Sequence, residues 1–82
     1  MSPAPLLDFN YWITAARDDL RHGQKFRHSP HARVGYLQLA ETNLTRALKA
    51  ANRLRDAKRR SLCMRALNWV RTDLKNLNRS AA

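Results

Sequence analysis

Residues 29–54 decide the fold, and they read SPHARVGYLQLAETNLTRALKAANRL. Ser29 followed by Pro30 is a strong helix start, because the serine oxygen can cap free N–H groups and the fixed φ of proline suits the first turn. At about 100° per residue, the apolar side chains that follow occupy one broad arc of the helix surface. The arc contains Val34, Leu37, Ala40, Leu44, Ala47, Leu48, Ala51 and Leu54, and it is widened by Tyr36, Leu39 and Ala50. This breadth predicts a long central helix over 30–55 that packs against at least two others.

A first helix is predicted before this stretch, over about 9–22. Its apolar side chains recur at helical spacing in a single narrow stripe of Phe9, Trp12, Ile13, Ala16 and Leu20. Asp8 is the expected N-cap, and Gly23 is the expected stop. Because two prolines precede Leu7, we expect an extended lead-in up to that residue.

The end of the central helix depends on residues 55–60. A straight continuation would drive three cations into the apolar seam, which is costly. They are Arg55, Lys58 and Arg59. We therefore predict a break near 56–60, with Asp56 or Ser61 capping a third helix over about 61–79. Because neither glycine nor proline enforces this break, the alternative is one helix of about fifty residues with a polar interruption, as in an extended coiled coil.

The predicted third helix has an apolar side of its own. It is formed by Leu62, Ala66, Trp69, Val70 and Leu77, and it is widened by Cys63, Leu67 and Leu74. Asp73 lies at the angular centre of this side. A lone carboxylate in such a place should either pair with an arginine or lie at an edge.

Three helices, short links and no strand signal predict an all-α fold, a small three-helix bundle in one domain over residues 1–82. With 82 residues, a single hydrophobic core is marginal without disulfides, metals or partner subunits. The central and third helices also present more apolar surface than the narrow stripe of the first helix can cover. We therefore expect the protein to form a homo-oligomer.

The positive charge lies in the second half of the chain. Residues 1–45 carry five basic and four acidic side chains, whereas residues 46–82 carry eleven basic and two acidic ones. The net charge is +10, and arginine outnumbers lysine by twelve to four. This asymmetry indicates a polyanionic partner, and arginine favours bidentate contacts with phosphate.

We expect the cations after residue 45 to line an Arg-rich ridge. Some lie on the exposed flank of the central helix, others repeat every four residues on the outer side of the third, and a basic turn joins the two rows if the helices are antiparallel. The candidate nucleic-acid-binding residues are Arg46, Lys49, Arg53, Lys58, Arg59, Arg60, Arg65, Arg71, Lys75 and Arg79. Interleaved threonines and asparagines can add hydrogen bonds to phosphate, sugar or base edges. These are Thr42, Thr45, Asn52, Asn68, Thr72, Asn76 and Asn78.

These features predict a non-catalytic accessory or regulatory protein that binds nucleic acid. RNA or a nucleoprotein is slightly favoured over DNA, because the expected contacts are to backbone and shape and no helix-turn-helix spacing is present. Trp12 and Trp69 lie on apolar faces and are expected in the core rather than on a base-stacking platform. The alternative function is a basic interaction module that docks on an acidic surface of a larger protein or enzyme complex and modulates it.

No residue pattern predicts an enzyme, a cofactor or a metal site. The sequence contains no Gly-rich phosphate loop, no paired carboxylates at useful spacing and no nucleophile with its base. The spacing of His22, His28 and His31 with a distant Cys63 matches no zinc pattern, and the cysteine is expected to pack in the core. No stretch is apolar enough to span a bilayer, and the amino terminus lacks a signal-peptide pattern, so we expect a cytoplasmic protein that does not bind membranes.

Overall fold

Three helices make up the protein in the computed structural model, which describes residues 4–81 and the side chains of residues 4–79. α1 spans Pro5–Lys25, α2 spans Pro30–Leu54 and α3 spans Ala57–Ala81. No strand occurs within residues 4–81. The all-α prediction is confirmed, and the alternative of one continuous helix in place of α2 and α3 is wrong.

α2 is the central helix, because α1 and α3 both pack against it in antiparallel directions. The Cα positions extend over 45 × 18 × 17 Å. Within residues 4–81, no Cα atom of α1 lies within 8 Å of a Cα atom of α3. The outer helices are therefore held together through α2 and are splayed apart on one side of it.

The core follows the broad apolar arc of α2. Its buried side chains are Leu37, Ala40, Leu44, Ala47, Ala50 and Ala51, and they meet Phe9, Ile13 and Ala16 from α1 and Cys63, Leu67 and Val70 from α3. Alanines on α2 let the neighbouring backbones approach closely, which suits a small domain that must pack densely. The predicted central position of this helix is confirmed.

α1 begins at Pro5 rather than at the predicted residue 9, and it ends at Lys25 rather than at 22. Proline fits the first helical position, because its missing N–H would have no partner there. Asp8 therefore lies inside the first turn, where a carboxylate is favoured by the helix dipole, and it does not cap the helix. Gly23 is buried within α1 and does not stop it. The expected extended lead-in is thus wrong from residue 5 onwards, and residues 1–3 lie outside the described range.

The break between α2 and α3 is made by two residues. Arg55 adopts the left-handed conformation at φ 54°, and the N–H groups of Arg55 and Asp56 donate to the carbonyls of Asn52 and Ala51 at 3.1 and 3.2 Å. This is a Schellman-type ending, formed here without glycine. Asp56 then accepts a 3.0 Å hydrogen bond from the backbone N–H of Arg59 and caps α3. The predicted break is confirmed, but α3 begins at residue 57 instead of 61, so residues 58–60 lie in its first turn rather than in the link.

Asp73 pairs with an arginine, as predicted. The Arg33 Nη2 atom on α2 lies 2.8 Å from the Asp73 Oδ2 atom on α3, and both side chains are half-buried. This pair joins the N-terminal part of α2 to the C-terminal part of α3. No helix in the described part of the chain is long and apolar enough to cross a membrane.

Candidate nucleic-acid interface

The ten predicted contact residues lie in two groups, because α3 carries cations around most of its outer surface. Nine of the ten are exposed, and Arg59 is half-buried. One group lies along the outward sides of α2 and α3. We call it the basic face, and it contains Arg46, Lys49, Arg53, Arg60, Arg71 and Lys75. The others are Lys58, Arg59 and Arg65, which lie on the side of α3 towards α1, and Arg79 near the end of α3.

The basic face is organised around a shallow cleft between α2 and α3. The cleft, of about 370 Å³, is lined by Glu41, Thr42, Thr45, Arg46, Lys49 and Arg71. Lys75 lies about one turn beyond Arg71 on α3. Arg60 lies at the opposite end, beside Asn52 and Arg55 near the turn between the helices. The cations therefore follow the outer seam of the α2–α3 pair over most of its length.

Internal ion pairs use three of the ten candidate cations. Arg53 Nη1 lies 3.6 Å from Asp8 Oδ2, and Arg71 Nε lies 2.9 Å from Glu41 Oε2. Arg59 pairs with Asp56. No carboxylate of the described residues pairs with the other seven, which are Arg46, Lys49, Lys58, Arg60, Arg65, Lys75 and Arg79. Most of the predicted positive surface therefore remains available to an outside anion.

Arg46 is positioned by an aromatic ring. Its guanidinium carbon lies 4.6 Å from the centroid of the Trp12 ring. Trp12 is half-buried against the core, so the prediction that it packs there is confirmed. A cation held over an aromatic face keeps its charge while its side chain loses freedom before any ligand arrives. Arg46 is thus a pre-organised cation at the α1 edge of the basic face.

Two threonines in the cleft already use their single donor. Thr42 Oγ1 donates to the Gln38 carbonyl at 3.2 Å, and Thr45 Oγ1 donates to the Glu41 carbonyl at 2.8 Å. Phosphate oxygens accept hydrogen bonds and do not donate them, so these hydroxyls cannot serve phosphate while they keep their backbone bonds. Their remaining lone pairs can accept a hydrogen bond from a sugar hydroxyl or a base amino group.

Arg59 makes its contacts within the protein. It pairs with Asp56, and its guanidinium carbon lies 5.4 Å from the centroid of the Phe9 ring. The ion pair and the ring hold this side chain half-buried between α3 and α1. It is therefore the least available of the ten candidate residues.

Trp69 is not in the core, and its predicted burial is wrong. Trp69 is 55% exposed, and it lies on the part of α3 that faces away from α2. α2 covers only the middle of the wide apolar side of α3, where Cys63 and Val70 are buried, and α1 stays too far away to cover the rest. The apolar pattern of the sequence identified the helix side correctly but could not show the distance to the next helix.

The histidines and the cysteine do not come together. Among the described residues, no group of three His, Cys, Asp or Glu side chains has the arrangement of a metal site. His22 stacks on Tyr36 with ring centroids 5.3 Å apart, and its Nδ1 atom lies 2.7 Å from the Asp18 carbonyl oxygen. Cys63 is buried between α2 and α3, as predicted, and burial raises the pKa of its thiol.

Comparisons with protein-family models, with curated proteins and with solved structures find no match to this chain. Its functional interpretation therefore depends on side-chain chemistry and geometry. The basic face contains one cation held by an aromatic ring, further exposed cations and two hydroxyl groups that can accept hydrogen bonds. Such a surface can bind a polyanion by charge and hydrogen bonding.

Proposed function

We propose that the protein binds nucleic acid through the basic face and acts as a non-catalytic accessory or regulatory factor. The observation that carries this proposal is the set of exposed cations on the basic face that pair with no carboxylate within the described part of the chain. They are Arg46, Lys49, Arg60 and Lys75. Unpaired cations on one surface attract phosphates and release the counterions that phosphates hold, and this release drives binding.

The spacing along α3 supports a nucleic-acid backbone as the ligand. Arg60 and Lys75 are separated by a helical rise of roughly 22 Å, and Arg71 lies about 6 Å before Lys75. Successive phosphates of one strand rise about 3.4 Å along a duplex, so the face matches a run of about six nucleotides. Four cations that no carboxylate of the described residues pairs with, and two in surface ion pairs, can each meet a phosphate along such a run.

The threonine geometry favours RNA over DNA. Because Thr42 and Thr45 already donate to backbone carbonyls, they act towards a ligand only as acceptors. A ribose 2′-hydroxyl can donate to them, whereas deoxyribose has no such group. The cations around the cleft would hold the phosphates on either side of the sugar. In this proposal, the two threonine hydroxyls account for the preference for RNA, and the cations account for the overall affinity.

The proposal is tested by comparing two charge-matched variants. Arg60→Gln with Lys75→Gln removes two cations from the basic face, and Arg21→Gln with Lys25→Gln removes two exposed cations at the far end of α1. Binding to a fluorescent RNA hairpin and to a DNA duplex of the same length is measured by anisotropy between about 50 and 300 mM salt. The first variant should lose roughly tenfold or more in affinity at low salt, and its plot of log affinity against log salt should flatten by about 1.4–1.8. The control should keep the wild-type slope.

Three results would contradict this function. Wild-type protein that binds neither RNA nor DNA at low salt would remove it altogether. Equal losses in the two variants would mean that net charge matters and the basic face does not. Polyglutamate that competes as well as RNA would favour the alternative of docking on an acidic protein surface.

Self-association is a separate proposal, and it does not use the basic face. Large apolar side chains remain exposed on α1, among them Leu6, Leu7 and Tyr11. A second copy that covered them would enlarge a core that is marginal for a chain of this size. Sedimentation equilibrium that shows only monomer at high protein concentration would contradict it.

A further inference from the structure

A second surface lies between α1 and α3, on the side of the molecule where the outer helices are splayed apart. A groove of about 400 Å³ is lined by Phe9, Arg17, Asp56, Lys58, Arg59 and Leu62. It continues along α3 past Ser61, Arg65 and Ala66. The groove exists because α2 covers only part of the apolar side of α3 and α1 does not close over the remainder.

Apolar and basic side chains alternate along this part of α3. Lys58, Leu62, Arg65 and Trp69 follow one another at intervals of four, three and four residues, so they lie on the same side of the helix. Leu62 is 48% exposed and Trp69 is 55% exposed. Large side chains left in water on one stripe, with charges at its border, are typical of a surface that binds another molecule.

The border of the groove is positive. No carboxylate of the described residues pairs with Arg17, Lys58 or Arg65. Asp56 is the one acidic side chain lining the groove, and it already accepts hydrogen bonds from the backbone and the guanidinium of Arg59. An occupant must therefore bring both apolar side chains and negative charge.

Nearly all acidic side chains of the protein already have a partner. Of its six acidic side chains, Asp8, Glu41, Asp56 and Asp73 are in ion pairs, and Asp19 accepts a 2.7 Å hydrogen bond from Asn43. Asp18 alone has no such partner among the described residues. A second copy placed on the groove would bring further cations against Arg17, Lys58 and Arg65. Charge complementarity therefore points to a different molecule.

We propose that the groove between α1 and α3 binds an acidic amphipathic helix of another protein. Lys58 and Trp69 are separated by a rise of roughly 16 Å along α3, which is about three helical turns. A ligand helix of that length presents apolar side chains at i, i+3, i+4 and i+7, and these can contact the exposed side chains of Leu62 and Trp69. Its acidic side chains then meet the cations of the border. Nucleic acid fits less well, because its phosphates gain nothing from the exposed Leu62 side chain.

This site goes beyond the proposed function, since it lies on the side of α3 opposite to the basic face. With both sites occupied, the protein would connect a nucleic acid to an acidic partner protein. The two activities use different residues and can fail separately.

The test uses a synthetic peptide of about sixteen residues with leucines at i, i+3, i+4 and i+7 and glutamate at most other positions. A scrambled peptide of the same composition and a lysine version serve as controls. Isothermal titration calorimetry should show that the wild-type protein binds the acidic amphipathic peptide at least tenfold more tightly than either control.

Leu62→Ser with Trp69→Ser should weaken this binding at least tenfold. Lys58→Gln with Arg65→Gln should also weaken it and should reduce its dependence on salt.

Met64→Ser is the matched control, because Met64 is 52% exposed on another side of α3. This variant should keep the wild-type affinity for the peptide. All the replaced side chains are exposed, so circular dichroism should report the same fold for every variant. Arg60→Gln with Lys75→Gln should keep peptide binding even if RNA binding is lost, which separates this proposal from the proposed function.

Four results would overturn the proposal. The first is no binding of the acidic amphipathic peptide, and the second is equal binding of the scrambled peptide. The third is a dimer in sedimentation that the Leu62→Ser and Trp69→Ser variant abolishes, because a second copy would then be the occupant. The fourth is a loss of RNA binding in that same variant, because Trp69 would then stack on bases.

Discussion

The two sides of α3 carry similar cations among different neighbours. On the side of the basic face, Arg71 lies beside Glu41 and two threonines of α2, and Arg60 lies beside Asn52 near the turn. Lys75 follows about one turn beyond Arg71. Lys58 and Arg65 lie on the side of the groove, where their neighbours along the helix are Leu62 and Trp69. The charge is alike on both sides, but Leu62 and Trp69 are exposed between the cations of the groove side, whereas Met64 is the one large apolar side chain of the described residues exposed on the other side of α3.

Net charge indicates only that a partner should be anionic, and the residues beside each cation favour one kind of anion over another. A surface of cations and hydroxyl acceptors can hold phosphates and sugars without burying apolar groups. A surface of cations and exposed Leu or Trp gains from burying apolar area as well, which an amphipathic peptide can supply. The strong basic charge of one helix is therefore the basis of two separate proposals, one for each side of α3.

The largest stability effect should come from the ion pair that joins α2 and α3 on the groove side. Arg33→Met leaves the half-buried carboxylate of Asp73 without its partner and should lower the free energy of unfolding by about 1–3 kcal/mol. Arg33→Met combined with Asp73→Leu replaces the pair with apolar groups and should restore stability to within about 1 kcal/mol of wild type. Urea denaturation measures both. A loss below about 0.5 kcal/mol in the single variant would mean that solvent already screens this pair.

A smaller effect, on RNA affinity, should come from removing the one carboxylate that lines the cleft of the basic face. Glu41→Gln releases Arg71, whose Nε atom lies 2.9 Å from the carboxylate. RNA affinity should rise about threefold to tenfold, and the salt dependence should steepen by about 0.7–0.9. Stability should change by less than about 1 kcal/mol, because the pair is at the surface. Asp18→Asn removes the same charge from α1 and should change neither quantity. Peptide binding in the groove should be unaffected by both.

The smallest effect should be on acid stability, and it concerns Asp56 at the start of α3. The backbone N–H and the guanidinium of Arg59 hold the pKa of Asp56 below its ordinary value of 3.8. A lowered pKa means that the folded state favours the carboxylate. The resulting stability is complete above the ordinary pKa and is lost as the pH falls through the lower folded value. Asp56→Asn keeps a capping side chain but cannot titrate, so its melting temperature should fall less steeply in acid than that of wild type.

Asp56→Ala is the comparison for that experiment. It removes the cap as well as the charge, so its melting temperature should be lower than that of Asp56→Asn at neutral pH. Thermal unfolding followed by circular dichroism in mildly to strongly acidic buffers gives all three curves. Identical acid dependence in wild type and Asp56→Asn would contradict the role assigned to this carboxylate.

The helices were predictable because each has a continuous apolar side, and α2 was predictable as the centre because its arc is broader than one neighbour can cover. Helix ends were less predictable, because they depend on local backbone choices. Pro5 starts α1 with no capping side chain at Ala4, and Arg55 ends α2 in a left-handed conformation without glycine. The pairing of Asp73 with some arginine followed from its apolar surroundings. That the arginine is Arg33 depends on the register between two helices, which the sequence pattern does not contain.

The same limit applies to the candidate site. The pattern identified the exposed cations correctly, since helical spacing places them away from the core. It did not separate them into two groups, because that division depends on how far α1 stands from α3. Trp69 shows this most clearly, since an apolar position on a helix is buried only if another element lies opposite it.

Two tryptophans allow the most direct measurement of the division between the two surfaces. Trp12 lies beneath Arg46 at the basic face, and the exposed Trp69 lies on the groove side of α3, about one turn beyond Arg65. In ¹H–¹⁵N spectra, each tryptophan gives one indole N–H signal, and Trp12→Phe assigns them. Addition of the RNA hairpin should shift the Trp12 signal and leave the Trp69 signal in place, and the acidic amphipathic peptide should do the reverse. RNA that shifts the Trp69 signal and leaves the Trp12 signal unchanged would contradict the assignment of the basic face as the nucleic-acid site.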